Sequence, residues 1–251
     1  TTGEATPPAD NDTIFIYESA TAYPGGITLR NGQKLIGQDA STSLTAISGL
    51  TTPSGSASFP SMNTGAPATT ITNAGGNGVT LNRDNWLAGL TGGNSSSSAI
   101  SGSDFGTLNA ADMIVNTTGQ ALSLTNGSLN ATFGSVTSSG GTNNIALTRG
   151  AGILDGTLTI NGGALTGATG NAFDANGGTA NISYAGTIGN SAARSVNIAN
   201  KTGGTATFSG AINGSGTGVN LSANTGSTIR LMGALTLSTG ANPAFSATGG
   251  G

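Results

Sequence analysis

The sequence predicts an all-β fold, a right-handed parallel β-helix (a solenoid) of about 9–11 coils with roughly 23–24 residues per coil. Three observations predict it. Short apolar groups alternate with polar residues as β-strands do. Glycine, at 44 of 251 residues, recurs between these groups, and the groups near the C-terminus repeat at a fixed spacing. A chain that repeats one short unit stacks each unit on its neighbour, so its core consists of many thin layers.

Three segments near the C-terminus align without gaps, at offsets of 24 and then 23 residues: 182–188 (ISYAGTI), 206–212 (ATFSGAI) and 229–235 (IRLMGAL). A second register repeats at 23, 23 and 26 residues. The equivalent apolar positions are Tyr184, Phe208 and Leu231; Ile188, Ile212 and Leu235; and Phe173, Val196, Val219 and Phe245. An upstream copy has Leu158, Ile160 and Gly162 24 residues before Ile182, Tyr184 and Gly186.

This period accommodates two or three short strands and their turns. Coils stacked at about 4.8 Å bring equivalent residues into columns, with alternate residues pointing inward. Gly186, Gly210 and Gly233 are also equivalent. We expect them at bends, where the backbone needs a positive φ or a close approach to another chain segment.

The domain organisation follows from where this pattern begins and pauses. Residues 1–12 have no apolar pattern and contain Pro7-Pro8, so they are predicted to be an N-terminal arm or linker. Residues 13–251 are predicted to form a single β-helix domain. Within it, the Pro- and Ser-rich stretch near 51–68 is expected to leave the solenoid. The start at Thr1 in place of Met is expected of a processed product.

Composition excludes several classes of partner. Only 7% of residues are charged, and seven Lys and Arg spread along the chain cannot form the basic stripe that binds nucleic acid. No apolar run approaches the roughly 20 residues that span a bilayer, so no membrane span is predicted. The absence of Cys fits a bacterial exported protein and also a cytosolic one. Low charge with abundant Gly, Thr, Asn and Ser is common in large bacterial surface proteins. We therefore expect an extracellular or cell-surface location.

Two stretches resemble a known superfamily. Residues 13–38 (TIFIYESATAYPGGITLRNGQKLIGQ) resemble the first coils of pectate-lyase-like β-helices, with 31–37 similar to their "dGqkliG" segment, and 78–91 (GVTLNRDNWLAGLT) is similar to a later coil. Residues 200–229 resemble the degenerate repeats of bacterial adhesins and autotransporter-like passenger domains. The resemblance implies the β-helix fold; pectate lyases themselves use clustered carboxylates and a basic residue to cleave polysaccharide.

The residues favour a protein without catalysis. There is no His or Cys, which removes the usual transition-metal ligands and Cys/His nucleophiles. The acids nearest to one period apart are Asp84 and Asp104, Asp155 and Asp174, and Glu18 and Asp39, and none has Lys or Arg in matching register. An isolated Asp in a Gly/Asn turn is usually a turn former. No catalytic residue, metal site or cofactor is therefore predicted, and we expect no enzyme activity.

Four residues are candidates for ligand contact, each with a structural alternative. Arg83 and Asp84 form either a local ion pair or a ligand contact, and Trp86 either stacks on a sugar or packs in the core or at its edge. Tyr23, beside Pro24-Gly25, is a turn aromatic with the same two interpretations. The Thr-x-Thr pairs at 157/159 and 205/207 are isolated in the sequence, which does not predict a repeated ice-binding face.

The leading functional hypothesis is a structural or adhesive element: a surface stalk, an adhesin segment or a self-assembling fibre subunit. Its expected partners are further copies of the chain, bound through the open ends of the solenoid, or other cell-surface or matrix components. The alternative is a β-helix that binds or cleaves carbohydrate, which makes a glycan the second expected partner.

Overall fold

The structure is a computed structural model that describes residues 8–65 and 68–250. In this part of the chain it contains one short helix, α1 (Leu44–Ser48), and 24 strands. The strands are β1 (Thr13–Ile16), β2 (Tyr23–Pro24), β3 (Ile27–Thr28), β4 (Lys34–Gly37), β5 (Thr70–Asn73), β6 (Val79–Thr80), β7 (Trp86–Ser95), β8 (Ser98–Ser103), β9 (Thr107–Thr117), β10 (Gln120–Thr125), β11 (Gly127–Ser138), β12 (Ile145–Thr148), β13 (Leu154–Ile160), β14 (Ala164–Leu165), β15 (Phe173–Asn176), β16 (Asn181–Tyr184), β17 (Thr187–Asn190), β18 (Arg194–Ala199), β19 (Thr205–Phe208), β20 (Ile212–Gly214), β21 (Gly218–Ser222), β22 (Thr228–Leu231), β23 (Leu235–Leu237) and β24 (Phe245–Thr248).

The strands form two parallel sheets that confirm the predicted solenoid. The first sheet has 15 strands, and its main path runs through β1, β4, β7, β9, β11, β13, β16, β19 and β22. The second has nine strands, from β3 at one end to β24 at the other. Each coil contributes one strand to each path, so the described residues make nine stacked coils, with β1–β3 in the first and β22–β24 in the last.

The pairing register confirms the predicted columns. Phe208 lies between Tyr184 and Leu231, and Ile212 lies between Ile188 and Leu235. In the second sheet the order is Phe173, Val196, Val219 and Phe245. Earlier coils vary in length, which is why the period fades in the sequence: Asn130 follows its partner Asn109 by 21 residues, whereas its next partner Thr157 is 27 residues on.

Aromatic rings fill the interior of the C-terminal half. Phe173 and Phe208 meet edge to face with centroids 4.9 Å apart, and Tyr184 lies 5.9 Å from Phe173. All three side chains are fully buried, which removes large apolar surfaces from water. The Tyr184 hydroxyl donates to Thr187 O at 3.3 Å, and burial raises the pKa of this tyrosine above its usual range.

The aligned glycines mark close approaches of successive coils. A Cβ on Gly210 would collide with the carbonyl oxygen of Gly186, and one on Gly233 with that of Gly210. A Cβ on Gly186 would likewise collide with Gly163 O and with the Tyr184 hydroxyl. None of the three aligned glycines has a positive φ, so close packing, and not left-handed backbone, requires glycine here.

A long insertion leaves the solenoid between β4 and β5. It occupies residues 38–69 and therefore includes the predicted excursion at 51–68 and begins well before it; residues 66–67 are outside the described part. Its helix α1 begins after Ser43, whose hydroxyl accepts from Ala46 N, and ends at Gly49 in left-handed conformation. Leu44 and Ile47 of this helix are buried in a second apolar cluster with Ile36, Ala40 and Ala88, so the insertion covers the outer face of the first sheet.

The N-terminal arm was predicted at 1–12, of which residues 1–7 lie outside the described part. The last residues of the arm contact the second coil: Asn11 N donates to Asn31 O, and Lys34 N donates to Asp12 O. Gln33 Nε2 donates to Ala9 O at 2.7 Å. In the part of the chain that the structure describes, no helix is long and apolar enough to cross a membrane.

Candidate functional site: the two ends of the solenoid

Arg83 and Asp84 lie on the turn between β6 and β7. Asp84 is in left-handed conformation, with a φ of 59°, and its Oδ1 accepts from Thr107 N of the next coil at 2.8 Å. Arg83 lines a shallow depression of about 300 Å³ with Asp104, Asn126 and Ile153. The carboxylate of Asp84 thus links two coils, while the Arg83 side chain is exposed beside the depression.

The three acidic pairs have separate roles. Asp84 and Asp104 occupy corresponding turns of adjacent coils, but Asp104 Oδ1 accepts from Asn126 Nδ2. Asp155 lies on the first sheet and Asp174 on the second. Glu18 and Asp39 both hold the insertion, accepting from Asn63 Nδ2 and Thr69 N respectively. Asp174 Oδ1 accepts from Asn171 Nδ2 and Asn197 Nδ2, whereas Asp155 Oδ1 is buried without a hydrogen-bond partner among the described residues. The members of each pair are therefore not brought together in one site.

Trp86 lies beneath the insertion. Its half-buried indole packs against the cluster of Ile36, Ala40 and Ala88, and Lys34 Nζ lies 5.4 Å from the ring centroid. Lys34 Nζ also donates to Ile47 O and Ser48 O, the carbonyls at the end of α1. The Nε1 of Trp86 is buried without a hydrogen-bond partner among the described residues. This ring therefore contributes to docking of the insertion.

Tyr23 lies at the N-terminal end of the solenoid, where the first coil has no further coil beside it within the described residues. Its hydroxyl donates to Tyr17 O at 2.9 Å, and Tyr17 meets Phe15 edge to face at 5.1 Å. These rings border a depression of about 290 Å³ that opens on the end of the core. Its lining is Phe15, Ile16, Tyr17, Tyr23, Gly25, Gly26, Ile27 and Ile71.

The C-terminal end has exposed apolar side chains. In the last coil two side chains whose equivalents are core in earlier coils are exposed, with 47% of Phe245 and 43% of Leu235 accessible. Met232, in an outward position, is 69% accessible. Ile229 and Leu231 are partly buried against the core. The outer edges of β22, β23 and β24 pair with no strand in the described part of the chain. Apolar side chains and free backbone groups therefore occur together at this end.

The two ends also differ in charge. Residues 8–29, which contain the first coil, carry Asp10, Asp12 and Glu18 and no basic residue. Residues 202–250, which contain the last coil, carry a single charged residue, the exposed Arg230 on β22. Glu18 Oε2 is buried without a hydrogen-bond partner among the described residues. The N-terminal end is thus acidic and the C-terminal end weakly basic.

A regular polar face on the first sheet could not be recognised along the sequence, because Thr157/Thr159 and Thr205/Thr207 look isolated there. The register places them in one pair of outward columns. Successive rows are Asn130/Thr132, Thr157/Thr159, Asn181/Ser183, Thr205/Thr207 and Thr228/Arg230. The intervening coil contributes an amide and a hydroxyl in the same two columns. Except for Arg230 in the last row, this part of the sheet presents neutral hydrogen-bonding groups in two parallel columns.

One buried cation, Lys201, could not be recognised from the sequence. Lys201 is 1% exposed, its Nζ donates to Ala180 O at 2.7 Å, and its backbone N donates to Asn224 Oδ1. Burial lowers the pKa of this ammonium group, because the charged form loses hydration. The lysine follows Asn200 in an ordinary Gly-rich turn, and no local pattern distinguishes it from a surface residue.

Within the described ranges, no group of three or more His, Cys, Asp or Glu side chains could hold a metal ion. Comparison of the chain with protein-family models, curated proteins and solved structures gives no match. The two ends of the solenoid remain as the candidate functional surfaces: one is acidic and has a depression, and the other is weakly basic and has exposed apolar side chains.

Proposed function

We propose that the chain is a non-enzymatic structural element of a bacterial cell surface, a rod-like stalk, adhesin segment or fibre subunit that associates through the ends of its solenoid. One observation carries the proposal: among the described residues, each end has core-type side chains that no further coil covers, together with strand edges that pair with no strand. Such edges pair readily with another chain unless they are blocked by charge, proline or a covering segment. Contact between unlike ends is heterologous and produces filaments.

The lateral surface supports a load-bearing role. Outward amides bridge successive coils: Asn197 Nδ2 donates to Asp174 Oδ1, and Asn220 Nδ2 donates to Asn197 Oδ1. Asn200 and Asn176 make the same contact in another column. These bonds run along the axis of the rod and add to the backbone ladders. They tie each coil to its neighbours without long-range charge repulsion.

Self-association can be tested on the 251-residue chain by light scattering over a wide concentration range and by electron microscopy. We expect the mean mass to rise with concentration and rods longer than a single solenoid to appear. The double variant Leu235→Lys/Phe245→Lys places charges on the C-terminal end and should remain monomeric. Thr157→Lys/Thr205→Lys adds the same charge to a lateral face and serves as the matched control. Monomers of the unmodified chain at every concentration would contradict the proposal.

A second candidate function is carbohydrate binding, favoured by the polar face of the first sheet. Its amides and hydroxyls suit the neutral hydroxyls of a polysaccharide laid along the rod. A glycan array, combined with an assay for release of reducing or unsaturated sugars, separates binding from cleavage. Retention of one glycan class that is lost in Thr157→Lys/Thr205→Lys would favour this function, and sugar release would contradict the absence of catalysis.

A further inference from the structure

We propose that two copies dock C-terminal end to N-terminal end in the register of the solenoid itself, with β22 of one copy pairing with β1 of the next and β24 pairing with β3. This inference rests on the proposed self-association and specifies its geometry. The first coil of the second copy would then be the tenth coil of a continuous stack. The acidic end of one copy would contact the weakly basic end of the other.

The register follows from the columns. Starting at Ile14, one inward column runs from coil to coil and ends at Ile229, and in the second sheet a column that begins at Ile27 ends at Phe245. Each column is apolar at both ends. Stacking Ile229 over Ile14 therefore also stacks Phe245 over Ile27, and two sheets continue through a single joint.

The exposed side chains of the two ends also match in this register. Met232 lies three residues after Ile229, and Tyr17 lies three residues after Ile14, so the most exposed apolar side chain of the last coil meets the ring beside the N-terminal depression. A thioether against an aromatic ring is a favourable contact. The depression of about 290 Å³ is large enough to receive side chains projecting from β22 and β23.

The charges of the two ends are also complementary in this register. In this register Arg230 lies over Phe15, on a strand flanked by Asp12 before it and Glu18 after it. Two copies meeting by like ends would bring acids against acids at one joint and arginine against arginine at the other. Opposite charges favour the head-to-tail arrangement and penalise both of these alternatives.

Disulfide cross-linking tests the register, because the chain has no cysteine of its own. Thr13 and Thr228 begin and end one outward column. Docked strands would place their Cα atoms about 4.8 Å apart, within the range for a disulfide. In one copy they lie about 38 Å apart, eight layers at the strand spacing, so a bond between them must join two molecules. Under mild oxidation, Thr13→Cys/Thr228→Cys should give a ladder of covalent multimers on a non-reducing gel.

The matched control is Thr13→Cys/Thr236→Cys, which moves the second cysteine to β23, on a different strand of the same end. We expect about tenfold less cross-linking, because that pair is out of disulfide reach. Arg230→Glu should reduce association, whereas Arg149→Glu, in a turn of a central coil, should leave it unchanged.

The outcomes separate the two proposals. Rods in the microscope with equal cross-linking in the two cysteine pairs, or with none at 13/228, overturn the register and leave self-association standing. Dispersed monomers of the unmodified chain overturn both. A ladder specific to 13/228, with loss of association in Arg230→Glu alone, supports the docking described above.

Discussion

Asn197 donates a hydrogen bond of 2.7 Å from its side-chain amide to Asp174 Oδ1, joining equivalent outward positions of two successive coils. Asp174 Oδ1 also accepts from Asn171 Nδ2, and Asn197 in turn accepts from Asn220. An amide suits the middle of such a column because it donates in one direction along the axis and accepts in the other. A carboxylate can only accept, so Asp174 fits where two donors converge.

Asn197→Asp should therefore destabilise the fold. The substitution removes the donor to Asp174 and places two carboxylates side by side, at a cost of about 1–2 kcal/mol for these half-buried groups. Asn213→Asp is the control, because Asn213 is exposed between Gly189 and Thr236 and faces no acid. Denaturant unfolding at pH 7 measures both; equal losses in the two variants would contradict the ladder.

Gly210→Ala should be more damaging than Gly162→Ala. A Cβ on Gly210 collides with the Gly186 carbonyl, which is backbone and cannot move aside, whereas one on Gly162 has only Gly134 O at 3.7 Å. Neither residue has a positive φ, so the comparison isolates steric overlap. We expect a loss of about 1–3 kcal/mol for Gly210→Ala and little change for Gly162→Ala. Thermal unfolding of the two variants checks this, and similar melting temperatures would refute it.

Sequence periodicity predicted the interior columns because stacking repeats the same environment every coil. Leu158 and Ile160 pair with Ile182 and Tyr184 as predicted, but Gly162 does not align with Gly186. The turn between Ile160 and Ala164 is one residue longer than the turn between Tyr184 and Thr187, so the close approach there involves Gly163 instead. The insertion could not be predicted in full, since Ile36 and Phe15 occupy outward positions, which alternation assigns to solvent. Their burial depends on α1, whose apolar pair Leu44 and Ile47 is too short to form a recognisable helical pattern.

The ends illustrate a different limit. Ile229 and Phe245 are apolar and continue the columns of their interior equivalents, so the sequence pattern assigns them to the core. Only the three-dimensional stack reveals that no coil covers them among the described residues. The same holds for Tyr17 and Tyr23, whose proximity depends on how the first coil bends.

Lys201 should give the fold an alkaline pH dependence. Because burial lowers its pKa in the folded state, the unfolded chain binds more protons between that lowered pKa and about 10.4. The free energy of unfolding should therefore rise with pH across this window, and the contribution is lost as pH falls through the lowered pKa. Lys201→Met should abolish the rise. Tyr184 has the opposite effect, because its raised pKa lowers the free energy of unfolding above about pH 10. The chains with Lys201 and with Met at this position are therefore both measured with Tyr184→Phe in place. If the free energy of unfolding still rises with pH in Lys201→Met, another group causes the rise.

Lys34→Met should loosen the insertion while leaving the solenoid folded. Lys34 is the cation at the end of α1, where it binds two carbonyl oxygens and faces the Trp86 ring. Methionine retains most of the apolar stem but loses the hydrogen bonds, the favourable interaction with the helix C-terminus and the cation–π contact, together about 1–3 kcal/mol of local stability.

The chain's single tryptophan reports on this region directly, since Trp86 lies under the insertion. Acrylamide should quench its fluorescence more efficiently in Lys34→Met than in the unmodified chain, and limited proteolysis should cut within residues 49–65 sooner. Arg149→Met, which removes a cation from a distant turn, should change neither measurement. If quenching and cleavage stay the same in Lys34→Met, the insertion is held instead by its carboxylate contacts, with Asp112 accepting from both the backbone N and the hydroxyl of Ser41.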